Sequence, residues 1–162
     1  MGGGPAHAEY VVSHVDDAIK HGWIRVFYQP IIRSCSGCLC GMESLARWVD
    51  PKRGMLPPAD FIGALEDSRQ IHKLDLCVVE QVVRRIAERS RQGMTEIPLS
   101  VNLSKVDFLQ CDIFQEVEAR VKAAGIPRRL LRIEVTESTV TSHADTIVQA
   151  LDRFRAAGYE VW

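Results

Sequence analysis

The sequence predicts an α/β fold on a mainly parallel sheet, and three observations carry that reading. After an opening hairpin, segments rich in β-branched and aromatic residues alternate with segments of helical periodicity. Strands separated by helices run parallel through right-handed crossovers. Each later strand sets an apolar face against a polar one, which suits helices on one side and a shared polar space on the other. A chain of 162 residues suffices for one domain with a core, and it carries no internal repeat or low-complexity segment.

Residues 1–12 read as a loose lead-in to a domain over 13–162, because residues 1–10 lack periodicity. Ser13 is placed to cap a short helix, with Asp16 and Asp17 in its first turn and its end near Gly22. Trp23 to Ile32 reads as a strand. Pro30 cannot donate to a ladder, so that strand belongs at an edge. Ser34 to Gly37 makes a turn, and Gly41 to Trp48 returns as the second arm of the hairpin.

Asp50 to Pro58 is punctuated by Pro51, Gly54, Pro57 and Pro58 and reads as a loop. Ala59 to Asp67 gives a short helix. Ile71 to Arg91 gives a long one, with Ile71, Leu74, Val78, Val82 and Ile86 on its inner face. Its charges, Glu80, Arg84, Arg85, Glu88 and Arg89, form a solvated face. Ile97 to Leu103 is a strand, Asp112 to Ala124 a helix stopped by Gly125-Ile126-Pro127, and Leu130 to Thr136 a strand. Ser142 can cap a helix from His143 to Ala157, which Gly158 closes before Tyr159 to Trp162 opens one more strand.

The near-zero formal charge gives no electrostatic footprint for a nucleic acid polymer or an anionic membrane. No apolar run approaches a membrane span, and the first residues lack signal-peptide regions, so a cytoplasmic location is expected. The odd count of five cysteines argues for free thiols in a reducing compartment. Cys35-x-x-Cys38-x-Cys40 resembles half of a metal knuckle, but no second pair supplies the other ligands. It reads as a hairpin turn that holds thiols.

The chemistry gathers on the second strand. Alternation puts Glu43, Leu45 and Arg47 on one face, with Met42, Ser44, Ala46 and Trp48 on the other. Such a face is either functional or an edge strand's exposed side. Two later strands tilt the choice. Ser100, Asn102 and Ser104 share a polar face, as do Arg132, Glu134 and Thr136. In a parallel barrel, residues near the carboxyl ends of strands form the mouth, so Glu43, Asn102 and Glu134 would converge there. Two carboxylates and an amide oxygen favour Mg2+, Mn2+ or Ca2+ over zinc. Such an ion would polarise a phosphoryl group and activate water, and Arg47 offers a fork for phosphate oxygens. The residues point to metal-assisted phosphodiester hydrolysis.

Phe27-Tyr28-Gln29-Pro30, Glu43-Ser44-Leu45-Ala46-Arg47-Trp48, Pro58 to Glu66, Val101-Asn102-Leu103-Ser104 and Glu134-Val135-Thr136-Glu137-Ser138 occur in the order seen in EAL domains. The chain resembles that family from about residue 15 to its last residue. The resemblance implies a bacterial cyclic-di-GMP phosphodiesterase on a TIM-like (β/α) barrel with an antiparallel first strand, here truncated to roughly five strands. It implies Glu43, Asn102 and Glu134 as ligands of Mg2+ or Mn2+, and Gln29, Leu45 and Arg47 as residues holding the dinucleotide. It implies Glu137 as the glutamate that steadies a loop over the site. It further implies cyclic-di-GMP as substrate, linear pGpG as product, a possible homodimer, and regulatory domains in a longer parent.

Two departures stand out. Ser44 replaces the signature alanine, and Ser68-Arg69-Gln70-Ile71 replaces the usual Thr-Gly-Leu-Ile, which puts a bulky residue where glycine geometry is expected. The paired aspartates, the lysine and the later glutamate that complete the implied catalytic set do not occur in the 162 residues. The expectation is therefore a partial EAL domain that is inactive alone and of marginal stability. The competing expectations are a degenerate module that binds cyclic-di-GMP or a protein without catalysis, and an inactive gene fragment.

Overall fold

The computed structural model describes residues 4–135 and 143–162. Helix α1 spans Pro5–Lys20 and buries Val11, Val15 and Ala18 at helical spacing. The loose lead-in expected over residues 1–12 is thus helical from Pro5, whose ring fixes φ for a first helical position. The early turns carry no sequence signal because their anchors are long-range. Tyr10 Oη donates to Asp50 Oδ2 at 2.7 Å, and the Arg53 guanidinium lies 3.6 Å over the Tyr10 ring. Ser13 is not a cap: its hydroxyl donates back to the carbonyls of Glu9 and Tyr10.

Strands β1 (Ile24–Ile32) and β2 (Leu39–Asp50) form the expected antiparallel hairpin. β2 also pairs in parallel with β4 (Leu99–Leu103), so it is interior and its charged face is not an edge. β4 pairs in parallel with β5 (Leu131–Val135), and β5 with β6 (Glu160–Val161). The order β1-β2-β4-β5-β6 leaves β1 at an edge, where Pro30 is tolerated. A short β3 (Gly54–Leu56) pairs with the end of β2 inside the segment expected as a loop. Asp50 makes that reversal: its Oδ1 accepts the amides of Lys52 and Arg53 at 2.8 and 2.9 Å.

Helices α2 (Pro58–Asp67), α3 (Ile71–Arg91), α5 (Ile113–Ala124) and α6 (Ala144–Ala157) follow the expected order, with a one-turn α4 (Asp107–Gln110) added. The expected Ser142 cap lies outside the described residues, and the side chain of His143 makes no capping bond. The core lies between the helices and the outer face of the sheet. Val101, Leu103, Leu131 and Ile133 are fully covered, and Trp48 packs on Phe61 with ring centroids 5.9 Å apart. This leaves Glu43, Asn102 and Glu134 on the opposite face. Among the described residues no helix is long and apolar enough to cross a membrane.

Candidate active site

This polar face is built from register. Gln29 lies opposite Glu43, Glu43 opposite Ser100, Ser100 opposite Arg132, and Arg132 opposite Glu160, one row across five strands. One step along β4 and β5, Asn102 lies opposite Glu134. Residues paired across a ladder share a face. The sheet therefore gathers Glu43, Asn102 and Glu134 from three strands. Asn102 Nδ2 donates to Glu43 Oε1 at 3.2 Å, which leaves the amide oxygen of Asn102 free of that bond. Glu134 makes no side-chain hydrogen bond or ion pair among the described residues, and all three are half-buried.

The other expected site residues divide. Leu45 lies opposite Phe27, and Gln29 is exposed beside Glu43. Arg47 lies opposite Arg25, but its Nη1 donates to the Ala46 carbonyl at 2.8 Å and its guanidinium sits 5.9 Å from the Phe27 ring. That fork is folded against its own strand and does not touch the Glu43 pair. Glu137 lies outside the described residues.

A second polar layer went unread in the sequence. At the carboxyl end of β4 the Ser104 amide has two acceptors, Asp107 Oδ2 at 2.9 Å and Asp75 Oδ2 at 3.1 Å. The Ser104 hydroxyl donates to Glu66 Oε1 at 2.6 Å. Two carboxylate oxygens that converge on one N–H repel unless a proton lies between them. Burial pushes the Asp107 carboxyl up to about 6, and burial with the neighbouring Asp107 charge raises Asp75 well above the carboxylate range. The pair thus holds a proton and clamps the strand end two residues beyond Asn102. Only Ser104 showed in the sequence, as a member of the polar face. Asp75 sits within α3 and Asp107 opens α4, and no spacing links them.

Below the site, Arg132 is buried against Glu160, with Nε and Nη2 each 2.8 Å from Oε2. Its guanidinium lies 4.0 Å from the Trp162 ring. Gly41 leaves room for it: a Cβ there would stand 3.1 Å from Arg132 Nη1 and 3.2 Å from the Pro98 carbonyl oxygen.

Two carboxylates and an amide oxygen are the donors a hard divalent cation accepts, so the residues present fit one. They form part of a coordination shell only. Among the described residues no group of three or more histidine, cysteine, aspartate or glutamate side chains could hold a metal ion.

Comparison with known proteins shows the family and the fold. A family model described as "EAL domain" matches residues 13–162. The oxygen sensor protein DosP of Escherichia coli is 34% identical over 142 residues, covering 88% of this chain and 18% of that protein. The cyclic di-GMP phosphodiesterase NbdA of Pseudomonas aeruginosa is 28% identical, covering 87% of this chain and 18% of that protein. The chain spans about a fifth of the length of these curated relatives. Among solved structures, the PaMucR phosphodiesterase in complex with c-di-GMP superposes with a TM-score of 0.84 at 24% identity, over 94% of this chain and 62% of that one. The Xanthomonas citri FimX EAL domain with c-diGMP gives 0.82 at 22% identity, over 96% and 60%. These two likenesses show the shared fold.

Proposed function

Because the chain belongs to the EAL domain family, we propose that this polar face of the sheet is the front part of a site for cyclic-di-GMP, in a partial EAL domain over 13–162 that works in the cytoplasm. The single observation that supports this most is the meeting of Glu43 and Asn102 at 3.2 Å with Glu134 in register beside them. Their oxygens would hold Mg2+ or Mn2+. When bound, such an ion supplies Lewis acidity toward a phosphodiester and its attacking water. The protein's own part is to place and orient. Asn102 donates its amide hydrogen to Glu43, which leaves its oxygen available to a cation. Gln29 and Leu45 form the rim against the dinucleotide. Arg47 would leave the Ala46 carbonyl to meet a phosphate, exchanging a neutral hydrogen bond for a charge-assisted one. Glu137 would steady the loop over the site.

In this reading the chain binds cyclic-di-GMP in a metal-dependent way, and opening to linear pGpG needs the further carboxylates and lysine that the family resemblance implies. Calorimetry of the 162-residue chain with cyclic-di-GMP and Mn2+, followed by chromatography for pGpG, tests it. The expected result is binding without turnover, weakened about tenfold or more (~1.4 kcal/mol) by Asn102→Ala or Glu134→Ala. Absence of binding with and without Mn2+, in a chain shown to be folded, would refute it. The homodimer and the regulatory domains of a longer parent belong to the same proposal. Sedimentation and the sequence of the full parent test them.

A further inference from the structure

The thiol motif Cys35-x-x-Cys38-x-Cys40 lies outside the site described above, and the structure separates its three members. Cys40 is half-buried and its Sγ donates to the Ile31 carbonyl at 3.1 Å, back into the hairpin ladder. Cys35 and Cys38 are free and exposed on the connection between β1 and β2. The trio is therefore not a metal knuckle but a pair plus one.

The pair stands on a curled turn. The amides of Ser36 and Gly37 both donate to the Arg33 carbonyl, at 3.2 and 2.8 Å, and the Arg33 amide donates to the Cys38 carbonyl at 2.9 Å. Gly37 takes a φ of +64°, which reverses the chain between the two cysteines. These bonds close the short loop from Arg33 to Cys38 that holds both cysteines, and a disulfide across it asks for Cα atoms ~4.4–6.8 Å apart. The Cys38 Sγ already points back into the turn, donating to the Ser36 carbonyl at 3.6 Å.

We propose that Cys35 and Cys38 form a solvent-facing dithiol that hydroperoxides oxidise reversibly to an intramolecular disulfide. One thiolate attacks the peroxide and takes an oxygen as sulfenic acid, releasing water. The second sulfur attacks that sulfenic sulfur, expels a second water, and forms the S–S bond. Two thiols and one hydrogen peroxide give one disulfide and two waters, so the peroxide is reduced by the electrons the sulfurs lose. The exposed pair meets the oxidant first, whereas burial pushes the Cys111 thiol up to about 11 and raises that of Cys77, which disfavours their thiolates. The bridge would close the hairpin beside the ladder irregularity between Ile31 and Ile32, on the same two strands that carry Gln29 and Glu43.

The test treats the reduced 162-residue chain with hydrogen peroxide, then measures intact mass, alkylatable thiols and a disulfide peptide map. The expected result is a monomer lighter by about 2 Da, with a Cys35–Cys38 bridge that dithiothreitol reverses. Alkylatable thiols should fall from five to three. Cys35→Ser and Cys38→Ser should each abolish the mass loss, while Cys111→Ser keeps it. Sulfinic acid at either position, a bridge that includes Cys40, or a disulfide-linked dimer as the main product would each overturn the proposal. Circular dichroism of both serine variants confirms that the comparison is between folded chains.

Discussion

The carboxyl pair behind β4 makes a pH prediction whose sign follows from geometry. Asp75 and Asp107 converge on the Ser104 amide, and Asp107 is fully buried. Its folded carboxyl binds a proton more firmly than the unfolded chain does, so the folded state holds the extra proton. Stability is then full below the unfolded value of 3.8 and is lost as pH rises toward about 6. At ~1.4 kcal/mol per pH unit the loss is up to about 3 kcal/mol. Asp107→Asn removes the Asp107 share and leaves the raised Asp75 carboxyl. The amide cannot ionise, yet its oxygen can accept a hydrogen bond from the protonated Asp75 much as the Asp107 carboxylate does. The assay is urea unfolding of both chains at half-unit steps from pH 4 to 7. The wild-type chain should weaken across that window, and Asp107→Asn, which keeps only the raised Asp75 carboxyl, should weaken less steeply. A wild-type stability that is flat or rising there, or an identical slope in both chains, would refute the shared proton.

Three further outcomes are expected. Glu118 accepts from Tyr159 Oη at 2.5 Å and from Arg128, and the hydrogen bond from Arg128 leads in holding its carboxyl down at about 2. Stability from Glu118 is present above its unfolded value of 4.5 and fades as pH falls toward about 2, so Glu118→Gln should flatten acid unfolding in that lower window. Gly41→Ala drives a methyl onto the Pro98 carbonyl and Arg132 Nη1, and thermal melting should show a loss of about 1–3 kcal/mol. Trp48→Ala empties a fully buried position against Phe61, and urea unfolding should show a loss of about 3–5 kcal/mol.

What the sequence could tell was set by range. The β1–β2 hairpin, α3 and the strands bearing Asn102 and Glu134 carry their own periodicity, and they stand where it places them. The polar faces were legible for the same reason, since alternation puts Glu43 on one side of β2 and Trp48 on the other. The misses divide between contacts distant in the chain and short-range side-chain bonds, as at Ser13 and Asp50, that compete with the expected local structure. Helix α1 starts at Pro5 because Tyr10 reaches Asp50, and β3 exists because Asp50 folds the next three residues back. The clamp on Ser104 draws on Glu66, Asp75 and Asp107, from a helix end, a helix flank and the start of α4. No local pattern joins such positions. Arg47 shows the converse limit: sequence placed it on the correct face, but its guanidinium rests on the Ala46 carbonyl.

Arg69 is where sequence and structure meet most directly. The resemblance asks for glycine there, and the structure answers with φ +57° at Arg69, in the left-handed region. The turn after α2 is fully made: the Arg69 amide donates to the Glu66 carbonyl at 3.0 Å, and the Gln70 amide to Leu65 at 2.8 Å. The arginine thus does not displace the turn but holds it under strain. A left-handed non-glycine residue costs roughly 1–2 kcal/mol, and the extra freedom glycine brings to the unfolded chain offsets about half of that. The Arg69 side chain is exposed and makes no hydrogen bond or ion pair among the described residues, so little else is lost on replacing it. Arg69→Gly should therefore stabilise by about 0.5–1 kcal/mol, a rise in Tm of roughly 1–4 °C for a chain of this size. Arg69→Ala keeps the Cβ and its clash, and it should stay within about 0.5 kcal/mol of wild type. If glycine and alanine shift the melting curve equally, the gain belongs to removing a charge and not to relieving the backbone.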